Sequence, residues 1–202
     1  MNLSHDTYGI SMPLDIFKNQ MLHIKKKYDV ISLTEPFPQN QTISITIDDG
    51  YKDTIYAAEI LESLSLPFTL FMTSDNINKN NYLTANDIQN LSNSAVCNIG
   101  SHTKTHVKLG ELDGCKQIDE VTSSKIHIED IIGKKVNLIS LPHGSYNRET
   151  FNIIKDAGYE KIATSIKGYN FTDDTIIKRS EIIKYDTFNS LEKKISGYYD
   201  FY

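Results

Sequence analysis

Apolar residues recur along the chain at two spacings, one typical of amphipathic helices and the other typical of strands. Four apolar residues after Pro13 mark one face of a predicted helix near the start: Leu14, Phe17, Met21 and Ile24. Further along, β-branched or apolar runs predict strands at 42–47, 67–72, 95–100, 136–141 and 159–166. The intervening stretches predict helices at 53–64, 84–91, 113–132 and 148–156.

This alternation of strand and helix predicts the fold class. Strands separated by helices favour parallel βαβ units, and therefore an α/β sheet or barrel. No internal repeat or Pro/Gly/Ser-rich linker divides the sequence, so we predict a single domain over residues 1–202. In such folds ligands gather at the carboxyl ends of the strands.

The composition excludes several classes of protein. With 39% hydrophobic and 23% charged residues, the chain resembles an ordinary globular protein and not a disordered or fibrous one. Its net charge of −5 offers no basic surface for phosphates, so we expect no nucleic-acid partner. We expect no transmembrane segment, and the lack of an export signal in the sequence predicts a cytoplasmic protein.

Polar groups follow three of the predicted strands. Asp48, Asp49 and Gly50 end the first, His102 and His106 follow the third, and Pro142, His143 and Gly144 follow the fourth. Because the carboxyl ends of parallel strands lie at one edge of a sheet, we expect these groups to lie close together at that edge.

The spacing of His102 and His106 is typical of metal ligands, because a helical turn would place both imidazoles on one face. Both aspartates can reach the same site only where the strand breaks into a loop, and Gly50 supplies that freedom. One carboxylate could then bind a metal ion while the other acts as a base. Two histidines and a carboxylate leave a ligand position open, as catalytic zinc sites do.

A closed site is the alternative for the same histidines. Cys97 and Cys115 lie close enough in sequence to complete a Cys2His2 set with His102 and His106. A small buried thiol is the simpler explanation for Cys97, which falls in a predicted strand. We expect both cysteines to be reduced.

Three segments resemble motifs of the NodB-homology polysaccharide deacetylases, carbohydrate esterase family 4. They are 46–51 (Thr-Ile-Asp-Asp-Gly-Tyr), 99–106 (Ile-Gly-Ser-His-Thr-Lys-Thr-His) and 141–147 (Leu-Pro-His-Gly-Ser-Tyr-Asn). The resemblance implies a distorted (β/α) barrel that removes acetyl groups from N-acetylated sugars. It also implies one divalent metal ion, zinc being expected and cobalt or nickel being alternatives.

The resemblance also implies a role for each matching residue. Asp48 would be the general base, and the metal ligands would be Asp49, His102 and His106. Pro142, Gly144 and Tyr146 would contribute to substrate binding, and the backbone N–H of His143 would help to hold the oxyanion.

The sequence departs from the common family pattern at two points. The usual arginine of the third motif falls at Ser140, and the two arginines of the chain, Arg148 and Arg179, lie elsewhere. The late histidine that supplies the general acid is absent, since no histidine follows His143. A branch resembling the poly-β-1,6-N-acetylglucosamine deacetylases is circularly permuted and carries this acid on its first strand. Here His5 would supply it, with His143 as the rival.

The sequence therefore predicts a metal-dependent deacetylase acting on an acetylated saccharide, such as a precursor of a cell-surface glycan. Two alternatives remain open. A catalytically impaired homologue that binds metal and glycan would explain the missing arginine and the displaced acid. An O-acetyl esterase could use the same site, because the chemistry attacks either kind of acetyl bond.

Overall fold

A curled parallel sheet forms the centre of the fold. The computed structural model describes residues 12–172 and 174–198. Its strands in chain order are β1 (Asp29–Val30), β2 (Thr42–Ile43), β3 (Ile45–Ile47), β4 (Phe68–Met72), β5 (Cys97–Ser101), β6 (Leu138–Ser140), β7 (Lys161–Ala163) and β8 (Ile176–Ile177). The main sheet contains β3 to β8, hydrogen-bonded in chain order and all parallel, and β1 pairs with β2 in a separate small sheet.

Helices connect most of the strands and cover the sheet. They are α1 (Leu14–Lys27), α2 (Thr54–Ser63), α3 (Ala85–Ser92), α4 (Gly114–Ile132), α5 (Thr150–Asp156) and α6 (Phe188–Ile195). The predicted α/β class with a distorted barrel is confirmed, since the parallel sheet curls into a half-barrel. The prediction of one domain over 1–202 stays a prediction.

The strand predicted at 42–47 divides into two strands that belong to different sheets. Ser44 separates them, and its hydroxyl donates a hydrogen bond to the Ile31 carbonyl at 3.0 Å. The Ile31 N–H in turn donates to the Ile43 carbonyl at 2.9 Å, which extends the pairing of β1 with β2. A run of alternating β-branched residues cannot reveal such a change of partner, because both halves carry the same pattern.

The core lies between the sheet and the helices. Every residue of β4 is buried, as expected for a parallel strand covered on both faces. Helix α4 contributes Val121 and Ile128, both fully buried, and ends at Gly133 in the left-handed conformation. This packing fixes the strand ends at which the polar groups lie.

The elements that the sequence pattern did not predict are short. They are β1, β8 and α6, of which the two strands contain only two residues each. In the described ranges, no helix is both long and apolar enough to cross a membrane.

Candidate active site

The carboxyl ends of β3 and β5 bring the three predicted metal ligands together. Asp49 follows β3, and both histidines follow β5. His102 Nε2 lies 3.4 Å from Asp49 Oδ1, and His106 Nε2 lies 3.1 Å from the same oxygen. The three donor atoms lie within 4.8 Å of one another, which is close enough for a single ion to contact all of them.

A tight turn after β3 lets Asp48 and Asp49 face the same site. A continued strand would point their side chains to opposite faces of the sheet. Instead, Asp49 and Gly50 have φ angles of 74° and 75°, and the Gly50 N–H donates to the Asp48 carbonyl at 3.0 Å. Glycine suits this turn because its positive φ is costly for residues that carry a side chain.

A buried hydrogen bond fixes the imidazole of His102. Its Nδ1 lies 2.9 Å from the Ser140 carbonyl oxygen, and only 3% of the residue is exposed. Because a carbonyl can only accept, Nδ1 carries a proton, and Nε2 is the ring atom that faces Asp49 and can bind a metal ion once it is deprotonated. An outer partner of this kind is usual for metal-ligating histidines.

A loop with two left-handed residues places His106 beside His102. Thr103 has a φ of 62° and His106 has a φ of 65°, so the segment is a loop and not the helical turn that the spacing suggested. The His106 N–H donates to Thr103 Oγ1 at 3.3 Å. The two imidazole centroids lie 4.9 Å apart.

Opposite charges shift the pKa values of these groups. Burial acts to raise the pKa of the Asp49 carboxyl, but His102 and His106 outweigh it and lower the pKa far below its ordinary value. Burial acts to lower the pKa of His102, but Asp48 and Asp49 outweigh it and raise the pKa. The carboxylates are therefore ionised at neutral pH and attract a cation.

The donor set fits a divalent transition-metal ion. Two imidazole nitrogens and one carboxylate oxygen suit zinc, and also cobalt or nickel. Within the described ranges, the only group of metal-ligating side chains close enough to hold an ion contains neither cysteine. Cys97 begins β5, about 16 Å along the strand from His102, and Cys115 is exposed on α4. The alternative Cys2His2 site is therefore wrong.

Arg179, just beyond β8, binds Asp48 at two points. Its Nη1 and Nη2 donate to Asp48 Oδ1 and Oδ2, both at 2.9 Å. The Ser140 hydroxyl donates to Asp48 Oδ2 at 3.0 Å and accepts from Arg179 Nη2 at 2.8 Å. Burial acts to raise the pKa of the Asp48 carboxyl, but the charges of Arg179 and His102 outweigh it and lower the pKa.

The guanidinium of Arg179 links the two edges of the main sheet. Its Nη1 also donates to Thr46 Oγ1 on β3 at 3.1 Å, while its Nε donates to the Thr164 carbonyl after β7 at 3.0 Å. It therefore contacts both Asp48 and Ser140, the position at which the resemblance to the family led us to expect an arginine. No sequence pattern marked this arginine, because β8 contains only two residues.

The third motif forms a tight turn, Pro142–Gly144, beside the candidate ligands. Pro142 is buried, and His143 and Gly144 have φ angles of 57° and 61°. The exposed His143 ring lies 4.7 Å from the His106 ring, centroid to centroid. Burial lowers the pKa of His143, and the neighbouring charges of His106 and Lys108 lower it further.

Among the described residues, no contact brings Tyr146 to the candidate ligands. Tyr146 is 43% exposed and its ring packs against Phe151 at a centroid distance of 4.8 Å, so its part in substrate binding stays a prediction. His5 lies outside the described residues.

A pair of aromatic rings, exposed Tyr51 and half-buried Tyr82, adjoins the turn that carries the aspartates. The rings of Tyr51 and Tyr82 stack at a centroid distance of 4.8 Å and an interplanar angle of 23°. The Leu83 N–H donates to the Gly50 carbonyl at 3.0 Å, which holds the two segments together. Flat aromatic surfaces of this kind suit the apolar face of a sugar ring.

Comparison with known proteins places these motifs in one family. The sequence model described as "Polysaccharide deacetylase" matches residues 37–162. The Bacillus subtilis (strain 168) protein YxkH, whose name assigns it to the polysaccharide deacetylases, is 30% identical over 132 residues. That match covers 65% of this chain and 47% of YxkH, so the chain spans about half the length of that relative.

Solved structures share the fold. The Streptococcus pyogenes deacetylase PplD, solved in complex with acetate, superposes with a TM-score of 0.86 at 19% identity, covering 96% of this chain and 92% of PplD. IcaB from Ammonifex degensii gives a TM-score of 0.80 at 16% identity, covering 93% of this chain and 89% of IcaB. At these identities the likeness establishes the fold, and the predicted permuted branch is consistent with it.

Proposed function

Because the chain belongs to the polysaccharide deacetylase family, we propose that it is a metal-dependent hydrolase that removes N-acetyl groups from an acetylated amino sugar or glycan. The observation that carries this proposal is that two neighbouring carboxylates at one site have different partners. Asp49 Oδ1 lies 3.4 and 3.1 Å from the Nε2 atoms of the two histidines, whereas Asp48 is paired with Arg179 through both of its oxygens.

The residues of this site would have separate roles in ion binding and in proton transfer. Asp49, His102 and His106 would hold a divalent ion, which when bound acidifies water and polarises a carbonyl. Asp48 Oδ2 lies 3.9 Å from His102 Nε2, close to the donor atoms yet fully engaged by Arg179. Its carboxylate is therefore ionised and oriented, as a base that accepts a proton from attacking water must be.

The third motif and the aromatic pair would position the substrate. In the turn at Pro142–Gly144, proline has no N–H and the Gly144 N–H donates to the Leu141 carbonyl at 3.0 Å. The backbone N–H of His143 would therefore be the group that stabilises the oxyanion of an acetyl group under attack. Tyr51, exposed and stacked on half-buried Tyr82, would offer an aromatic surface for a sugar ring next to the turn at Asp49 and Gly50.

Acetate release tests the proposal. The protein is freed of metal, reloaded with zinc, cobalt or nickel, and incubated with N-acetylated and with O-acetylated oligosaccharides. We expect acetate from the N-acetylated substrates. Release from the O-acetylated substrates alone would favour the esterase, and binding of metal and glycan with no release would favour the impaired homologue. Arg179 removes one of the two reasons for proposing an impaired homologue, because it donates to both oxygens of Asp48 in place of the missing arginine.

Replacing Arg179 by alanine should lower turnover about a hundredfold with zinc binding retained, because displacement of a catalytic group by about 1 Å costs roughly that factor. Arg179→Lys should recover only part of the loss, since an ammonium group keeps the charge but not the two-point contact. Measurement of kcat together with zinc content checks both variants. Arg148→Ala removes the exposed second arginine as a matched control. Wild-type turnover in Arg179→Ala would show that Asp48 does not need this partner.

The general acid is the remaining role, and we propose His5 for it. His5→Ala should lower kcat about a hundredfold without loss of zinc, which is the usual contribution of a positioned acid. The same assay on His143→Ala provides the comparison. An unaffected His5→Ala variant together with an impaired His143→Ala variant would reassign the acid to His143.

A further inference from the structure

The carboxylate of Glu120 lies beneath the loop that carries the two histidines. Glu120 is on α4 and only 7% of it is exposed. Its Oε2 accepts from the backbone N–H groups of Lys104 and Thr105, at 3.0 and 2.8 Å. Its Oε1 accepts from Thr105 Oγ1 at 2.5 Å. One side chain thus binds both consecutive residues at the centre of the loop.

The loop has a conformation that its own sequence does not favour. Thr103 and His106 both adopt left-handed φ angles, which are unfavourable for residues other than glycine and costly for β-branched threonine. The N–H groups of Lys104 and Thr105 have their acceptor on α4, in the carboxylate of Glu120. Without Glu120, these two N–H groups would lose their partner in the fold.

A second residue of α4 supports the start of the same loop. Ser124, one helical turn beyond Glu120, is fully buried and its Oγ lies 2.8 Å from Ser101 Oγ. Ser101 Oγ in turn accepts from the Thr103 N–H at 3.2 Å. Helix α4 therefore supports the start of the loop through Ser124 and its centre through Glu120.

We propose that Glu120 is a positioning residue for the metal site. It contacts none of the donor atoms of the ligands, and it acts by holding 104–105 so that His106 faces His102 and Asp49. The inference rests on the proposed function in one respect, that the three ligands bind a metal ion. It adds that the affinity for this ion depends on a carboxylate outside the ligand set.

Zinc affinity in two neighbouring variants tests the proposal. Glu120→Gln preserves size but leaves one neutral acceptor oxygen for the three donors that the carboxylate now binds, and places an amide NH2 group among them. The hydrogen bonds to the loop lose their charge assistance, and at least one of them loses its acceptor. Asp119→Asn is the matched control, since exposed Asp119 lies next to Glu120 on α4 and contacts the same loop through the Lys104 ammonium at 3.0 Å. Competition with a chromophoric chelator gives the zinc dissociation constant of each folded protein.

We expect Glu120→Gln to bind zinc about tenfold more weakly, as loss of an outer partner commonly does, and Asp119→Asn to stay within about twofold of wild type. At saturating zinc, kcat of Glu120→Gln should return to near the wild-type value. Equal zinc affinity in Glu120→Gln and wild type would overturn the proposal, as would equal weakening in both variants. Failure of the wild type to bind zinc would instead overturn the proposed function.

Amide exchange in the metal-free wild-type protein provides a readout that needs neither a variant nor metal. The N–H groups of Lys104 and Thr105 should be protected, although Thr105 is exposed. Exchange at the rate of an unstructured segment would show that Glu120 does not hold the loop, and would overturn the proposal even if Glu120→Gln fails to fold.

Discussion

Asp48→Asn is expected to lower kcat for acetate release by about a thousandfold, because a positioned general base contributes a factor of that order. The amide keeps the shape of the carboxylate but cannot take a proton from water. The variant should still bind zinc, since the donor atoms that lie together belong to Asp49 and the two histidines. Zinc content and kcat, measured on the same preparation, check both parts of this prediction.

The control for this variant is Asp53→Asn, a carboxylate in the following segment that is not among the grouped ligands. It should retain wild-type turnover. If Asp48→Asn turned over substrate at the wild-type rate, Asp48 would not be the base. If it lost zinc together with activity, Asp48 would instead be a ligand, and the separation of the two aspartates would be wrong.

His106→Ala should abolish zinc binding at micromolar concentrations, and with it all measurable turnover. Removing one of three protein ligands leaves Asp49 and His102 to hold the ion, and two ligands are too few for a stable zinc site. Isothermal titration of the metal-free variant with zinc checks this directly. The predicted loss is in affinity, so the fold should remain intact by circular dichroism.

His127→Ala is the matched control, since His127 is exposed on α4 and lies outside the ligand group. It should bind zinc and release acetate like the wild type. Zinc binding by His106→Ala with unchanged affinity would remove this histidine from the ligand set and direct attention to its neighbour His143, whose ring lies 4.7 Å away.

The grouping of the three candidate metal ligands was predictable from the sequence, because each of them follows a strand within a few residues. Asp49, His102 and His106 needed only the rule that parallel strands end at one edge, together with the resemblance of their motifs. The φ values that shape the site were not predictable, since neither Thr103 nor His106 is a glycine. Tertiary contacts, including those of Glu120, hold these residues in conformations that their local sequence does not signal.

The arginine was not predictable for a different reason. Arg179 and Asp48 are separated by 131 positions, and they meet because the curl of the sheet brings the end of β8 to the end of β3. Strand β8 contains only two residues, too few for an apolar pattern to mark it. A serine at position 140 cannot make the two-point contact of an arginine with a carboxylate. In the fold, Arg179 makes this contact with Asp48.

Zinc titration of the metal-free protein, with acetate release from an N-acetylated oligosaccharide recorded at each step, determines whether this chain is a zinc-dependent N-deacetylase. The proposed function predicts negligible release without metal, a rise in proportion to added zinc, and a plateau at a single ion per chain. Release that is independent of zinc, or zinc binding at this stoichiometry with no release from any N-acetylated substrate, would contradict it.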